Sequence, residues 1–542
     1  MKSDMEQLGN LSGYVNIVGA GISGLSAAIT LASSGIRCNL ISSMPSERAQ
    51  SVLAEGGINA ALDNMGEGDS PEEHFADTMR GGCYLETESC IHGLTNGAPD
   101  IINELARFGV PFTREDNKII QRPFGGQKKR RTCYSKSSTG KMIMTALIDV
   151  VRKYESEGLV VRYPDHVLTG ADIKEGILNF VTVKSRMTGD VTVLPGPAVI
   201  CCGGLNGFFE GFTTGTTQNT GDCAAVLFNE GVEFANLEFI QYHPTTVAIA
   251  DKRMLISEAA RGEGGRLYIE RGGEPWYFME EKYPESGNLM PRDVVSREMF
   301  KVMRDPSLGG TVYLDMREIS KSCWENKLSD LREEIRSYLL VDPAVTPVPV
   351  APGIHFFMGG IRVDDRHRTN IKGLYAAGEC ASKYHGANRL GGNSMLAAVY
   401  GGKTAAESVI KDAGMLSGIL NIQEIGKADH SEPVFDADTI LSGSVRNILI
   451  RGLGIIRDED SITSAIDELG KLYKEGMHDI DLKRIKLAEA MLMCARERKE
   501  SRGAHVRSDY PDTLDDYKKT TCCSMNNGKI IITMQDPLKE RR

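Results

Sequence analysis

From residue 15 to about 230, short apolar runs alternate with stretches whose apolar positions recur every three or four residues. This is the pattern of a doubly wound α/β sheet. Residues 15–18 (Val-Asn-Ile-Val) predict a buried strand, Gly19-Ala20-Gly21-Ile22-Ser23-Gly24 a tight turn, and residues 25–33 a helix. Further strands are expected at residues 37–42 and 198–202, the latter closed by Gly203-Gly204. Between about 231 and 350 the rhythm breaks into loops, short strands and one charged helix over 325–340, with clustered His, Arg and Glu. The alternating style returns at residue 359, with a strand at 373–379 and a helix from Ser394 to about residue 411. Two helical stretches follow at 461–475 and 482–499, then a hairpin over 520–534 around Asn526-Asn527-Gly528.

These elements predict an α/β chain: a Rossmann-like dinucleotide-binding domain, an inserted α+β capping domain and a C-terminal helical domain. The expected limits are a tail at 1–14, the first part of the dinucleotide domain at 15–230, the cap at 231–352, and the second part at 353–412. A linker at 413–435 and a C-terminal unit at 436–542 complete the chain.

In the glycine-rich turn, Gly19 makes the bend, Gly21 lets backbone approach a pyrophosphate, and Gly24 lets helix and strand pack closely. A carboxylate for a nicotinamide ribose belongs at the end of the second strand, yet that strand ends in Ser42-Ser43. A flavin dinucleotide is therefore favoured over NAD. The net charge of −10 disfavours nucleic acid and anionic membranes as partners. An anionic substrate would then need a local cationic pocket. Twelve scattered cysteines, without metal-ligand spacing, predict free thiols and no metal site. The lack of a signal-like or membrane-spanning apolar run predicts a cytoplasmic protein without a transmembrane segment. Lys128-Lys129-Arg130-Arg131 is expected to be a solvated basic loop, or else a docking point for an acidic electron donor.

Seven motifs occur in one order: Ala54-Glu55-Gly56-Gly57, Gln121-Arg122-Pro123-Phe124-Gly125-Gly126, Gln241-Tyr242-His243-Pro244-Thr245, Glu258-Ala-Ala-Arg261-Gly-Glu-Gly, Pro291-Arg292-Asp293-Val294-Val295-Ser296-Arg297, His355-Phe-Phe-Met358-Gly-Gly, and His385-Gly-Ala-Asn-Arg389-Leu-Gly-Gly-Asn-Ser394. Together with Glu500-Ser-Arg-Gly-Ala-His505 they resemble the flavoprotein subunits of succinate dehydrogenase and fumarate reductase, a family that includes L-aspartate oxidase. The resemblance runs from residue 15 to about 511. It implies FAD, a capping domain over the flavin, and redox chemistry on a four-carbon dicarboxylate.

By that resemblance His243, Ser257, His355 and Arg389 bind the substrate carboxylates. Arg292 donates the proton, with Glu258 and Arg261 as its relay, and His385 supports Arg389 from behind. On spacing alone, Arg292 could equally clamp a carboxylate beside a structural Glu258–Arg261 pair. The FAD contacts implied are Gly19, Gly21, Gly24, Ser42, Ser51, Gly56, Gly57, Asp222, Glu379, Ser394 and Met395. In the membrane-complex members a histidine shortly before the Gly-Gly pair links covalently to the flavin. Gln50 stands at that position, so FAD is expected to be held without a covalent bond.

Fumarate reduction is the expected direction, because covalent attachment in this family accompanies a raised flavin potential. Phe124 replaces a carboxylate that meets the substrate ammonium in aspartate oxidases, which favours fumarate or succinate. The surroundings Asn236-Leu-Glu-Phe and Leu289-Met-Pro-Arg292 look more like aspartate oxidase. Two alternatives therefore stand beside fumarate reduction: an L-aspartate oxidase forming iminosuccinate, and a flavoprotein that only relays electrons. With no haem or iron–sulfur ligands of its own, the chain would receive electrons from an iron–sulfur or other donor protein.

Overall fold

The computed structural model describes residues 13–136, 138–250, 252–416, 439–474 and 477–536. Its centre is a five-stranded, wholly parallel sheet in the order Leu374–Ala376, Ala198–Ile200, Val15–Val18, Cys38–Ser42, Val160–Pro164. The four residues of Val15–Val18 are buried, as the unbroken apolar run requires for a strand covered on both faces. The helix Ile22–Ser33 follows within three residues of that strand and packs against the long helix Asn393–Lys411. Leu25, Leu31, Leu396 and Ala405 meet in one apolar core there.

The turn between strand and helix admits no side chain at Gly19, and the first turn of the helix none at Gly24. Gly19 has φ +117°, and a Cβ on it would lie 2.1 Å from the Cys201 carbonyl oxygen. A Cβ on Gly24 would lie 1.9 Å from the Gly19 carbonyl oxygen, so the helix cannot approach the strand with any other residue there.

A second, six-stranded antiparallel sheet forms the core of the cap. Its order is Lys252–Leu255, Ile240–Ile249, Val348–Phe357, Val312–Asp315, Arg266–Arg271, Glu274–Trp276. Strand Val348–Phe357 crosses residue 352, where the cap was expected to end. Phe234–Ala235, expected inside the cap, instead joins a five-stranded sheet between Gly360–Arg362 and Thr520–Asn526. Alternation along a chain identifies a strand but not the sheet it joins, which is why both limits differ. The single helix expected over 325–340 is two, Lys321–Asn326 and Ser329–Leu339, with buried Leu328 between them.

Helices Thr439–Gly452, Glu459–Gly470 and Asp479–Glu497 make up the C-terminal layer. Glu459–Gly470 starts on a capping box, in which Asp458 Oδ1 accepts the Ser461 N–H at 2.7 Å. The terminal hairpin pairs Thr520–Asn526 with Lys529–Gln535 through Asn527 (φ 49°) and Gly528 (φ 74°). Fully buried Arg498 ties this layer to the cap root, donating to Glu238 at 2.7 Å, to Glu500 at 2.9 Å and to the Lys519 carbonyl at 2.7 Å. Most of the expected linker and N-terminal tail lies outside the described residues. Among the described residues no helix is long and apolar enough to cross a membrane.

The basic run 128–131 is solvated only in part: Lys128 is exposed, whereas the run ends in the interior. Arg131 is fully buried and its guanidinium lies 2.9 Å from both Asp69 and Asp77. Lys128 donates its backbone N–H to Asp77, and Arg130 pairs with Glu67 at 2.6 Å. Partners about sixty residues earlier neutralise Arg130 and Arg131, and no local pattern announces them.

Candidate functional site

One cavity of about 740 Å³ runs from the glycine-rich turn to the underside of the cap. At the turn, Gly21 heads the helix Ile22–Ser33 without any side-chain cap, and Ser51 Oγ accepts the Ile22 N–H at 3.2 Å. At the other end, Gly392 (φ 82°) heads Asn393–Lys411, again with no side-chain cap. Two long helices thus open their N-termini into one space, which suits a ligand with a diphosphate and a ring edge that gains negative charge. That is the chemistry of FAD, and the residues present fit it. Ser42, Gly56, Gly57, Asp222, Ser394 and Met395 line the same cavity. Asp222 also pairs with Arg484 at 2.7 Å, which anchors its turn to the C-terminal helix Asp479–Glu497.

Glu379 takes N–H donors from Phe357, at 3.1 Å, and from Gly204. Burial nevertheless pushes its carboxyl up to about 7. The unfolded chain would lose this proton near 4.5, while the folded FAD-free chain keeps it until about 7. Folding stability therefore falls as pH rises through that window, by about 3 kcal/mol. Glu379→Gln should remove this decline, so the melting temperatures of variant and parent should diverge in the variant's favour toward neutral pH. Parallel curves would contradict it.

Beneath the cap, side chains from three sheet and loop regions converge. Strand Ile240–Ile249 supplies His243 and strand Val348–Phe357 supplies His355; their ring centroids are 5.2 Å apart. His243 Nδ1 accepts the Thr245 backbone N–H at 3.3 Å, which leaves the ring proton on Nε2. That Nε2 is buried without a hydrogen-bond partner. His355 Nδ1 meets Thr214 Oγ1 at 2.7 Å. Burial, reinforced by Arg292 and Arg389, holds both imidazoles well below their usual pKa, so both are neutral. They are hydrogen-bonding groups here, not cations.

The positive charge comes from arginine. Arg389 rests on the Phe356 ring, 4.5 Å from its centroid, with its Nε buried and unpartnered. Burial first, then Arg292, depresses its pKa, as expected of a cation awaiting an anion. Arg292 opens the helix Arg292–Met303 and forks onto Glu258 through Nε (2.8 Å) and Nη2 (2.6 Å). Glu258 Oε1 accepts the Gly125 N–H at 2.9 Å and lies 3.5 Å from Arg261. Burial raises the Glu258 pKa, but Arg292 and Arg261 together outweigh it, and the carboxylate is ionised.

Phe124 and Ser257 complete the lining, both buried. Gly24, Arg261 and His385 stand behind the cavity wall; Arg261 donates to the Asn288 carbonyl at 2.5 Å, and the His385 ring lies edge-on to Phe356. Two participants carried no assigned role in the sequence. Gln241 was visible inside its motif, whereas Thr214 had no distinguishing pattern.

The chain matches the FAD binding domain family over residues 15–395 and the fumarate reductase flavoprotein C-terminal family over 482–539. It is 37% identical to the succinate dehydrogenase flavoprotein subunit of Bacillus subtilis, covering 93% of this chain and 92% of the relative. It is 30% identical to the L-aspartate oxidase of Streptomyces coelicolor, covering 92% and 89%. An E. coli quinol fumarate reductase superposes with a TM-score of 0.83 at 27% identity, covering 97% of each chain. The parallel sheet, the shared cavity and these relationships together establish that this chain belongs to the succinate dehydrogenase and fumarate reductase flavoprotein family and is an FAD-dependent oxidoreductase.

Proposed function

We propose that the chain interconverts fumarate and succinate, working in the fumarate-reducing direction with non-covalently held FAD. FAD held in the cavity and reduced by the electron donor would supply the hydride to one alkene carbon. The observation that carries this reading is a neutral donor, His243 Nε2, left unpartnered in the cavity that Arg292 and Arg389 also line. Fumarate carries two carboxylates, and its alkene becomes reactive when negative charge can build on one of them. Arg389 supplies a planar fork for one carboxylate, while His243, Ser257 and His355 supply neutral donors. Neutral imidazoles and the pairing of Arg292 with Glu258 limit the repulsion that Arg389 meets in the absence of a dianion.

Arg292 is the proton donor in this reading. Its bonds to Glu258 and Gln241 use three of its five N–H groups, so one proton on each Nη is left for the substrate. A guanidinium is a weak acid, matched here to a strongly basic carbanion. Glu258, ionised and touching both arginines, relays the replacement proton from the side of Arg261.

Phe124 favours fumarate over aspartate. It is a buried ring beside the Arg122 guanidinium, 5.8 Å from its centroid, and presents no carboxylate to an ammonium. Chemically reduced, FAD-loaded protein mixed anaerobically with fumarate should regain its oxidised flavin spectrum. Reduction of the oxidised protein by L-aspartate would replace this reading with the oxidase. Silence toward both would leave a carrier of electrons alone.

Gln50 supports non-covalent attachment: its Oε1 accepts the Thr216 N–H at 2.5 Å, and a carboxamide has no nucleophilic nitrogen to bond a flavin methyl carbon. Acid precipitation should leave the yellow colour in the supernatant; colour in the pellet would refute this. The relatives named as subunits support delivery of electrons from an iron–sulfur or other donor protein.

A further inference from the structure

Gln241 is completely buried on strand Ile240–Ile249, across from Phe356, the ring on which Arg389 lies. Its Nε2 donates to the Arg389 carbonyl and to Asn388 Oδ1, each at 2.8 Å. A carbonyl can only accept, so the amide has one permitted orientation, and Oε1 must face the other way. There it accepts from Arg292 Nη1 at 3.3 Å. Asn388 continues the chain of bonds by donating to Asp293 Oδ1 at 2.9 Å, at the residue next to Arg292. The start of helix Arg292–Met303 is thus joined by two side chains to the segment that carries Arg389.

We propose that Gln241 is a positioning residue that sets the rotation of Arg292 relative to Arg389, so that both guanidiniums address one substrate. This rests on the fumarate chemistry proposed above. The fork onto Glu258 leaves Arg292 able to pivot about the two bonds it shares with that carboxylate. The bond from Nη1 to Gln241 removes that freedom and turns the remaining Nη protons into the cavity. Because the same amide holds the Arg389 backbone, a shift of either arginine is felt by the other.

Gln241→Leu keeps a buried side chain of similar bulk and removes all three hydrogen bonds. Turnover with fumarate should fall roughly 10- to 100-fold, with KM changed by less than about threefold. The flavin absorbance spectrum should stay that of the parent, while the melting temperature falls modestly for the buried groups left unpaired. Malonate, an unreactive dicarboxylate read by its perturbation of the flavin band, should bind within about threefold of the parent.

Gln241→Glu separates orientation from packing. Ionised, its carboxylate repels the Arg389 carbonyl and tightens the hold on the Arg292 protons. Arg292, which it faces, favours that ionised form, as it does for Glu258. Turnover should therefore fall less than in Gln241→Leu, because the bond that fixes the rotation of Arg292 is kept.

Parental turnover in Gln241→Leu, or equal losses in both variants, would overturn the positioning role alone. A parent protein that does not oxidise its reduced flavin with fumarate would overturn the proposed function, and this inference with it.

Discussion

Replacement of Arg292 by alanine is expected to lower fumarate turnover by a factor on the order of 10²–10⁴ while FAD remains bound. Arg292 is the group that both neutralises Glu258 and has N–H groups free toward the cavity. Its removal takes away the proposed proton donor and leaves Glu258 with Arg261 and the Gly125 N–H as its remaining partners. The FAD-facing helix N-termini and Glu379 are untouched by the change, so the oxidised flavin spectrum should persist. Arg292→Lys should recover little, since an ammonium keeps the charge but cannot reproduce a planar fork on Glu258. Anaerobic stopped-flow reoxidation by fumarate is the measurement. Near-parental rates in Arg292→Ala would reduce this residue to a carboxylate clamp and move the acid elsewhere.

The largest expected effect on stability lies in the run once expected to be solvated. Arg131→Leu strands Asp69 and Asp77 in the interior without their shared cation, a change that typically costs about 3–5 kcal/mol. The damage should also reach the cofactor site. Thr132, the next residue, donates to Asn59 at 2.6 Å, and Asn59 in turn donates to the Gly391 carbonyl at 2.8 Å and to Asn393 at 2.7 Å. These bonds seat the N-terminus of helix Asn393–Lys411. Urea unfolding should show a lower midpoint at unchanged slope, and neutralising both acids alongside Arg131→Leu should restore much of it. An unchanged midpoint would mean that water reaches the pair of carboxylates.

The strand, glycine turn and helix around Val15–Val18 were legible because their physics is local: an apolar run, a bend that tolerates only glycine, and an apolar-rich helix. The hydrogen-bonding histidines of the pocket were legible only as motif members, since His243 and His355 lie more than a hundred positions apart and meet through the pairing of their strands. What could not be read was long-range complementarity. Nothing near Arg131 announces Asp69, and nothing near Gln241 announces Asn388, 147 positions on. The sheet that Phe234–Ala235 joins was hidden for the same reason, because its partner is a strand that begins at Thr520.

The walls of the flavin cavity are drawn from residues as early as Val18 and as late as Ala398, and the sheet at the cap root includes Lys529–Gln535. A finished berth for the nucleotide therefore exists only once synthesis has passed Ala398, and the glycine-rich segment alone cannot provide it.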